Sequence, residues 1–148
     1  MKRILTLFLI FLMGFNIAHA ENKKDYSEMK IKLILDNNQE VIINMAENSA
    51  VEQFLEMLPA HFNFSDFAGE EKITQFPKPI SLEKAPRGMI ATTGKMFIYA
   101  PWKNLGIFYK THSLIPDKDL IELGEVESGL DFLVHQPRNF SAQIEVMK

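Results

Sequence analysis

The stretch 93–110, TGKMFIYAPWKNLGIFYK, restricts the fold more than any other part of the chain. Two short runs, 96–99 and 105–109, are rich in aromatic and β-branched residues, which suit a pleated surface that is covered on at least one side. They flank a tight segment holding Pro101, Asn104 and Gly106, so the stretch predicts strand, turn and strand. A hairpin this apolar must be buried, and it predicts the centre of a β-rich core.

Lys2 and Arg3 precede an apolar run over 4–15, and Ala18, His19 and Ala20 follow with small residues where a signal peptidase cuts. This pattern predicts a secretory signal peptide over 1–20 and a periplasmic or secreted protein. The apolar run is about a dozen residues, short of the roughly 20 that span a bilayer, and polar residues 21–25 come next. No membrane span is expected after cleavage. Residues 21–28 read as a flexible lead-in, and 29–148 as one domain long enough to bury a core.

The chain has no cysteine, which removes disulfides, catalytic thiols and thiolate metal ligands. Packing alone must hold the domain. The formal charge is −3 and becomes more negative once Lys2 and Arg3 leave with the signal. Without a basic cluster the attraction that drives nucleic-acid binding is missing, so no such partner is expected. After residue 20 the only arginines are Arg87 and Arg138, which leaves few places for two-pronged recognition of carboxylate or phosphate.

Along the chain, 29–35 alternates apolar and polar residues before an apolar end, and Asp36, Asn37 and Asn38 separate it from 41–45, a predicted hairpin. Ser49 and Glu52 have capping-box spacing, and Val51, Phe54, Leu55 and Leu58 fall on one face of a helix that Pro59 stops. Residues 61–67 alternate around Phe62 and Phe64 as a half-buried strand, and Gly69 turns the chain into 71–76. Five Pro or Gly residues within 77–94 predict a long loop. A strand over 120–126, a short helix opened by Ser128 and carrying Leu130, Leu133 and Val134, and a closing strand over 140–146 complete the order. Many short antiparallel strands with two short helices predict a small closed barrel, which removes exposed edges.

The order of elements resembles the cyclophilin fold. The segment LGEVESGLD at 123–131 looks like the cyclophilin strand that runs through Val into the second helix, and 48–58 is placed like the first helix. More closely, FSDFAGEEKI, YAPWKNLGIFYK and LGEVESGLDFL are similar to bacterial cyclophilin-like proteins, small eight-stranded antiparallel barrels. The resemblance runs over about 30–146. It implies a mainly β fold, a closed eight-stranded barrel with two short helices. A cyclophilin is a peptidyl-prolyl isomerase that polarises the prolyl amide with an arginine and uses a tryptophan and a histidine from a later loop. Set on Gly124, the resemblance puts Leu120 where that histidine falls and Ile115 where the tryptophan falls, and the strand 72–76 holds no arginine. Only Phe108 matches an aromatic of the proline pocket. The resemblance thus implies the barrel without the usual catalysis, and no catalytic residue is assigned.

Other chemistry finds little support. His61, His112 and His135 have no paired spacing, so no metal ligand is expected, and GxGxxG and GxxxxGK[ST] are absent, so no cofactor is. Glu70 with Glu71, and Glu125 with Glu127, read as solvated carboxylates. Ser128 lacks the glycine two residues earlier that a nucleophile elbow needs and reads as a helix N-cap. Aromatic walls with a few polar tips are what concave sites are made of. Tyr99, Trp102, Phe108 and Tyr109, joined by Arg87 from the Pro-rich loop, are therefore the expected binding surface for a peptide segment or small molecule. The leading expectation is an exported binding domain without chemistry of its own; a divergent prolyl isomerase and a structural or assembly domain of the envelope are the alternatives.

Overall fold

The computed structural model describes residues 28–148. The expected signal peptide and nearly all of the expected lead-in lie outside them. Ten strands and two helices follow one another: β1 (Lys30–Leu35), β2 (Glu40–Met45), α1 (Ser49–Leu55), β3 (Ala60–Phe67), β4 (Glu71–Gln75), β5 (Met89–Ile90), β6 (Lys95–Tyr99), β7 (Asn104–Phe108), β8 (Pro116–Asp117), β9 (Leu120–Ser128), α2 (Leu130–Val134) and β10 (Asn139–Val146). Eight of the strands close in the order β1-β10-β3-β4-β7-β6-β9-β2, every neighbouring pair antiparallel. The expected eight-stranded barrel with two helices is the observed fold. No helix among the described residues is long and apolar enough to cross a membrane.

Alternation fills the barrel. Ile31, Leu33 and Leu35 of β1, Val41, Ile43 and Met45 of β2, and Phe62 and Phe64 of β3 all point into one core, which Ala50, Val51, Phe54 and Leu55 of α1 join. Phe54 meets Phe62 and Phe76 edge-on at 6.1 and 5.8 Å, so the helix is keyed to the core through aromatic contacts. The central hairpin is β6 against β7, with Phe97 opposite Gly106 and Tyr99 opposite Asn104. Gly106 lies inside β7, not in the turn. A Cβ there would sit 2.3 Å from Cζ of Phe97, whose ring lies across the glycine.

Both helix starts differ from expectation. Asn48, not Ser49, caps α1: its side-chain oxygen accepts from the backbone N–H of Ala50 at 3.0 Å and of Val51 at 3.1 Å. Its amide also donates to the carbonyl of Glu122 at 2.8 Å, tying the cap to β9 in a way that a serine hydroxyl could not reproduce. Asn48→Ala is expected to cost about 1 to 2 kcal/mol in denaturant unfolding, since cap and tie are lost together; an unchanged midpoint would show that neither bond matters. At α2, Ser128 is still in β9 and Gly129 occupies the cap position at φ 85° with no side-chain cap bond. A Cβ at Gly129 would come within 2.4 Å of the Glu40 carbonyl, so close passage over β2 and a left-handed backbone together demand glycine.

The long loop over 77–94 is irregular, as expected, but well anchored. Ile80, Leu82 and Ala85 are buried in the barrel core, and β5 pairs with β8 to make a small sheet that local patterning does not reveal. Gly88 donates to the Leu120 carbonyl at 3.0 Å and His112 to the Ala91 carbonyl at 2.8 Å. The two loops therefore lie over the outside of β6, β7 and β9, where Met89, Ala91, Phe97, Phe108 and Leu120 form a second apolar cluster. This outer cover is why every residue of β7 is buried.

Candidate functional site

A cavity of about 260 Å³ opens beside that outer cluster. Its floor is aromatic: Phe97 and Phe108 stack at 4.2 Å with their planes 18° apart. Its rim is aromatic as well, because Trp102, 58% exposed in the β6–β7 turn, meets Tyr99 edge-on at 5.2 Å and Phe67 at 5.8 Å. Strand alternation produces this arrangement. Phe97 and Tyr99 of β6 and Asn104 and Phe108 of β7 share the outward face, while Met96, Ile98, Leu105 and Ile107 fill the barrel.

The opposite wall is polar and acidic. The β3–β4 hairpin turns at Ala68 and Gly69, both at positive φ as tight hairpin loops require, and delivers Glu70 and Glu71 to the cavity. Glu71 lies across from Phe108 in the ladder and is partly buried. That burial pushes its carboxyl up to about 7, with the Glu70 charge adding to the shift and His112 opposing it. His112 Nδ1 lies 2.6 Å from Glu70 Oε2, and its ring stacks on Phe108 at 6.3 Å. Asp117 of β8 lines the cavity too. Asn104 lines the cavity while only 2% exposed, and its side-chain oxygen is buried without a protein hydrogen-bond partner.

Of the five residues expected to form a binding surface, Tyr99, Trp102 and Phe108 come together here. Arg87 is exposed on the outer loop and does not line the cavity. Tyr109 turns the other way: its hydroxyl donates to Asp66 Oδ1 at 2.7 Å, and Lys72 Nζ lies 3.0 Å from the same oxygen and 5.1 Å from the centre of the Tyr109 ring. This trio belongs to the inner side of the wall, since Lys72 pairs with core residue Ile107 and also faces the Phe140 ring. The Tyr109 hydroxyl holds the Asp66 carboxyl below its usual range, with Lys72 contributing. Burial, and then Asp66, push Tyr109 up to about 12.

Sequence reasoning missed Phe97, Asn104 and Asp117, and took Glu70 and Glu71 as solvated. The neighbouring carboxylates were visible as letters; that one of them is covered by an aromatic strand was not. Glu125 and Glu127 do not form a pair, for each binds a different lysine, Lys95 and Lys30, at 2.8 Å. Among the described residues no group of three His, Cys, Asp or Glu side chains could hold a metal.

The model of the cyclophilin-like family matches residues 34–145, nearly the whole barrel. The chain belongs to the cyclophilin-like family. The cyclophilin-like barrel is also similar to the solution structure of the hypothetical protein AF2241 from Archaeoglobus fulgidus, with 14% identity and a TM-score of 0.65 over 83% of this chain and 98% of that one. At that identity the likeness concerns the fold alone. No curated protein matches the chain. Within the family barrel, the strand on which the sequence resemblance looks for an isomerase arginine is β4, and its lysine points inward. What β4 turns toward the cavity is Glu71.

Proposed function

We propose that this protein is an exported cyclophilin-like binding domain that takes one ring or side chain of a peptide segment or small molecule into the outer cavity. The observation that carries the reading is the aromatic hollow itself, with stacked Phe97 and Phe108 beneath and Trp102, 58% exposed, at its rim. Aromatic and apolar walls with a few polar groups are what concave ligand sites are built from. The volume of about 260 Å³ lies just below the roughly 300 to 1,000 Å³ of ligand sites, which favours a single group over an extended cofactor. Export rests on the pattern of residues 1–20.

Absence of isomerase chemistry is part of the same proposal. A prolyl amide is polarised by a donor aimed at its carbonyl, and the charged residues lining the cavity are Glu70, Glu71, Asp117 and His112, with neither arginine nor lysine. The stacked Phe97 and Phe108 floor could accept a proline ring, and this specific feature favours a divergent isomerase as the second reading.

Trp102 is the only tryptophan in the chain, so its fluorescence reports the cavity rim directly. Titration with short peptides and amides is expected to quench or shift that emission, with affinity reduced about tenfold or more by Phe108→Ala. A proline-containing peptide is expected to isomerise no faster with the protein than without it. Turnover lost on Phe108→Ala would establish the isomerase reading instead, and emission indifferent to all such compounds would remove the binding one.

A further inference from the structure

Of the three carboxyl groups that line the cavity, two are already engaged. Glu70 Oε2 lies 2.6 Å from His112 Nδ1, and Asp117 accepts the backbone N–H of Asp119 at 2.8 Å. The third, Glu71, is half-buried opposite Phe108, itself 4% exposed, and among the described residues no hydrogen bond or ion pair reaches its carboxyl. Lys72 beside it is turned to the inner side of the wall, 3.0 Å from Asp66, and no lysine or arginine lines the cavity. A carboxylate placed there loses hydration and gains nothing in return, so the hollow favours the neutral acid. A neutral carboxyl donates through its O–H and accepts through its C=O. A carboxamide presents the complementary pair, C=O and N–H, along one edge. An organic anion would meet Glu70 and Asp117, and a bare hydrocarbon ring would leave the Glu71 hydroxyl unsatisfied. The Tyr99, Trp102 and Phe67 rings at the rim supply apolar cover, under which such a paired bond is stronger than in open water.

We propose that the cavity binds an uncharged primary carboxamide, with the Glu71 carboxyl donating to its carbonyl and accepting from its N–H while the group that carries it lies along the aromatic rim. The inference rests on the binding reading above and narrows it to a ligand class. Carboxamides occur on small molecules and on Asn and Gln side chains, and both present the same edge. The ionisable groups around Glu71 come from every neighbouring element: Glu70 from its own hairpin, Tyr99 from β6, His112 from the loop after β7, and Asp117 from β8. Asp66 of β3 and Tyr109 just past β7 lie on the inner side with Lys72, and Lys110 Nζ lies 5.9 Å from the centre of the Tyr109 ring. Burial pushes the Glu71 carboxyl up to about 7, with Glu70 adding to the shift and His112 opposing it. Only the protonated form donates, so affinity falls as pH rises through that value.

The test titrates the protein with benzamide, benzoate and benzylammonium at pH 6 and pH 8, read by Trp102 emission and by calorimetry. Benzamide is expected to bind tightest of the three at pH 6, and its affinity should fall by up to about tenfold by pH 8. Glu71→Gln, which keeps a donor and an acceptor at every pH, should bind benzamide up to about tenfold more tightly than the parent protein at pH 8 and show a flat profile. Glu71→Leu, which has neither, should bind it weakly at both. Comparing benzamide with Gly-Gly-Gln-Gly-Gly separates the sources: a pentapeptide that binds at least as tightly indicates a protein segment, and a weaker one indicates a small ring compound. Benzoate or benzylammonium bound as well as benzamide at pH 6 overturns the carboxamide inference while leaving the binding reading intact. So does a benzamide profile that Glu71→Gln leaves unchanged. If none of these compounds, nor any other amide or peptide, moves the Trp102 emission or gives a heat of binding, both readings fall.

Discussion

Replacing Asp66 by asparagine is expected to destabilise the protein by about 3 kcal/mol and to lower its melting temperature by about 10 °C. Lys72 is 3% exposed and has Asp66 as its counter-charge at 3.0 Å. Asparagine keeps the acceptor for the Tyr109 hydroxyl but leaves the ammonium buried without an anion, and removing one member of a buried pair costs far more than the pair contributes. The neighbouring Tyr109 and Phe140 rings, 5.1 and 5.8 Å from Nζ, offset only part of that loss. Adding Lys72→Met to Asp66→Asn should recover most of the stability, because the stranded charge is then gone. Thermal and denaturant unfolding of the two variants decides the matter: a loss below about 1 kcal/mol, or a double variant no better than the single, would mean the ion pair is not what anchors this part of the wall. The pH dependence has a definite sign. The Asp66 carboxyl is held below its usual range when folded, so its contribution is present above its unfolded value near 4 and is lost as pH falls through the folded value.

Glu71 is expected to act in the opposite direction. Its folded carboxyl titrates at about 7, above the 4.5 of an unperturbed glutamate. The folded state thus holds a proton that the unfolded chain gives up in that window, so the stabilisation is complete below about 4.5 and disappears as pH rises through about 7. Part of the side chain remains in water, and screening reduces the effect to about 2 kcal/mol, short of full conversion of the shift. Glu71→Gln should be about 2 kcal/mol more stable than the parent protein at pH 8, equal to it near pH 4.5, and nearly flat between. Equal stabilities at pH 8 would show that the carboxylate is as well solvated when folded as when unfolded.

Glu71 and the Lys72 that pairs with Asp66 adjoin in sequence yet face opposite sides of the barrel wall. Glu71 and Lys72 are consecutive on β4, and the pleat sends one to the cavity and the other to the core. That parity follows from register, and register depends on which strand lies alongside. From the letters alone, Lys72 stood where the family resemblance looks for an arginine, and Glu71 was a solvated acid. With β7 alongside, Lys72 faces Ile107 and Glu71 faces Phe108, so the sign of the charge shown to the cavity is reversed. Phe97 was hidden for a related reason. Its ring has room only because Gly106 lies opposite, a cross-strand relation with no local trace.

Local patterning by itself determined the strands of both main hairpins, the placing of the two helices and, through the family phrases, the closed barrel, because alternation, turn residues and helical spacing act over a few neighbouring positions. The cap at Asn48 and the entry at Gly129 were decided by β9 and β2 pressing against them. The cavity was decided by the tertiary structure alone: its walls come from the β3–β4 turn, the β6–β7 hairpin and the loop carrying β8, segments tens of residues apart. Burial of a carboxylate or an unpaired amide oxygen is a property of what lies over it, and barrel closure, with two loops folded across the outside, supplies that covering.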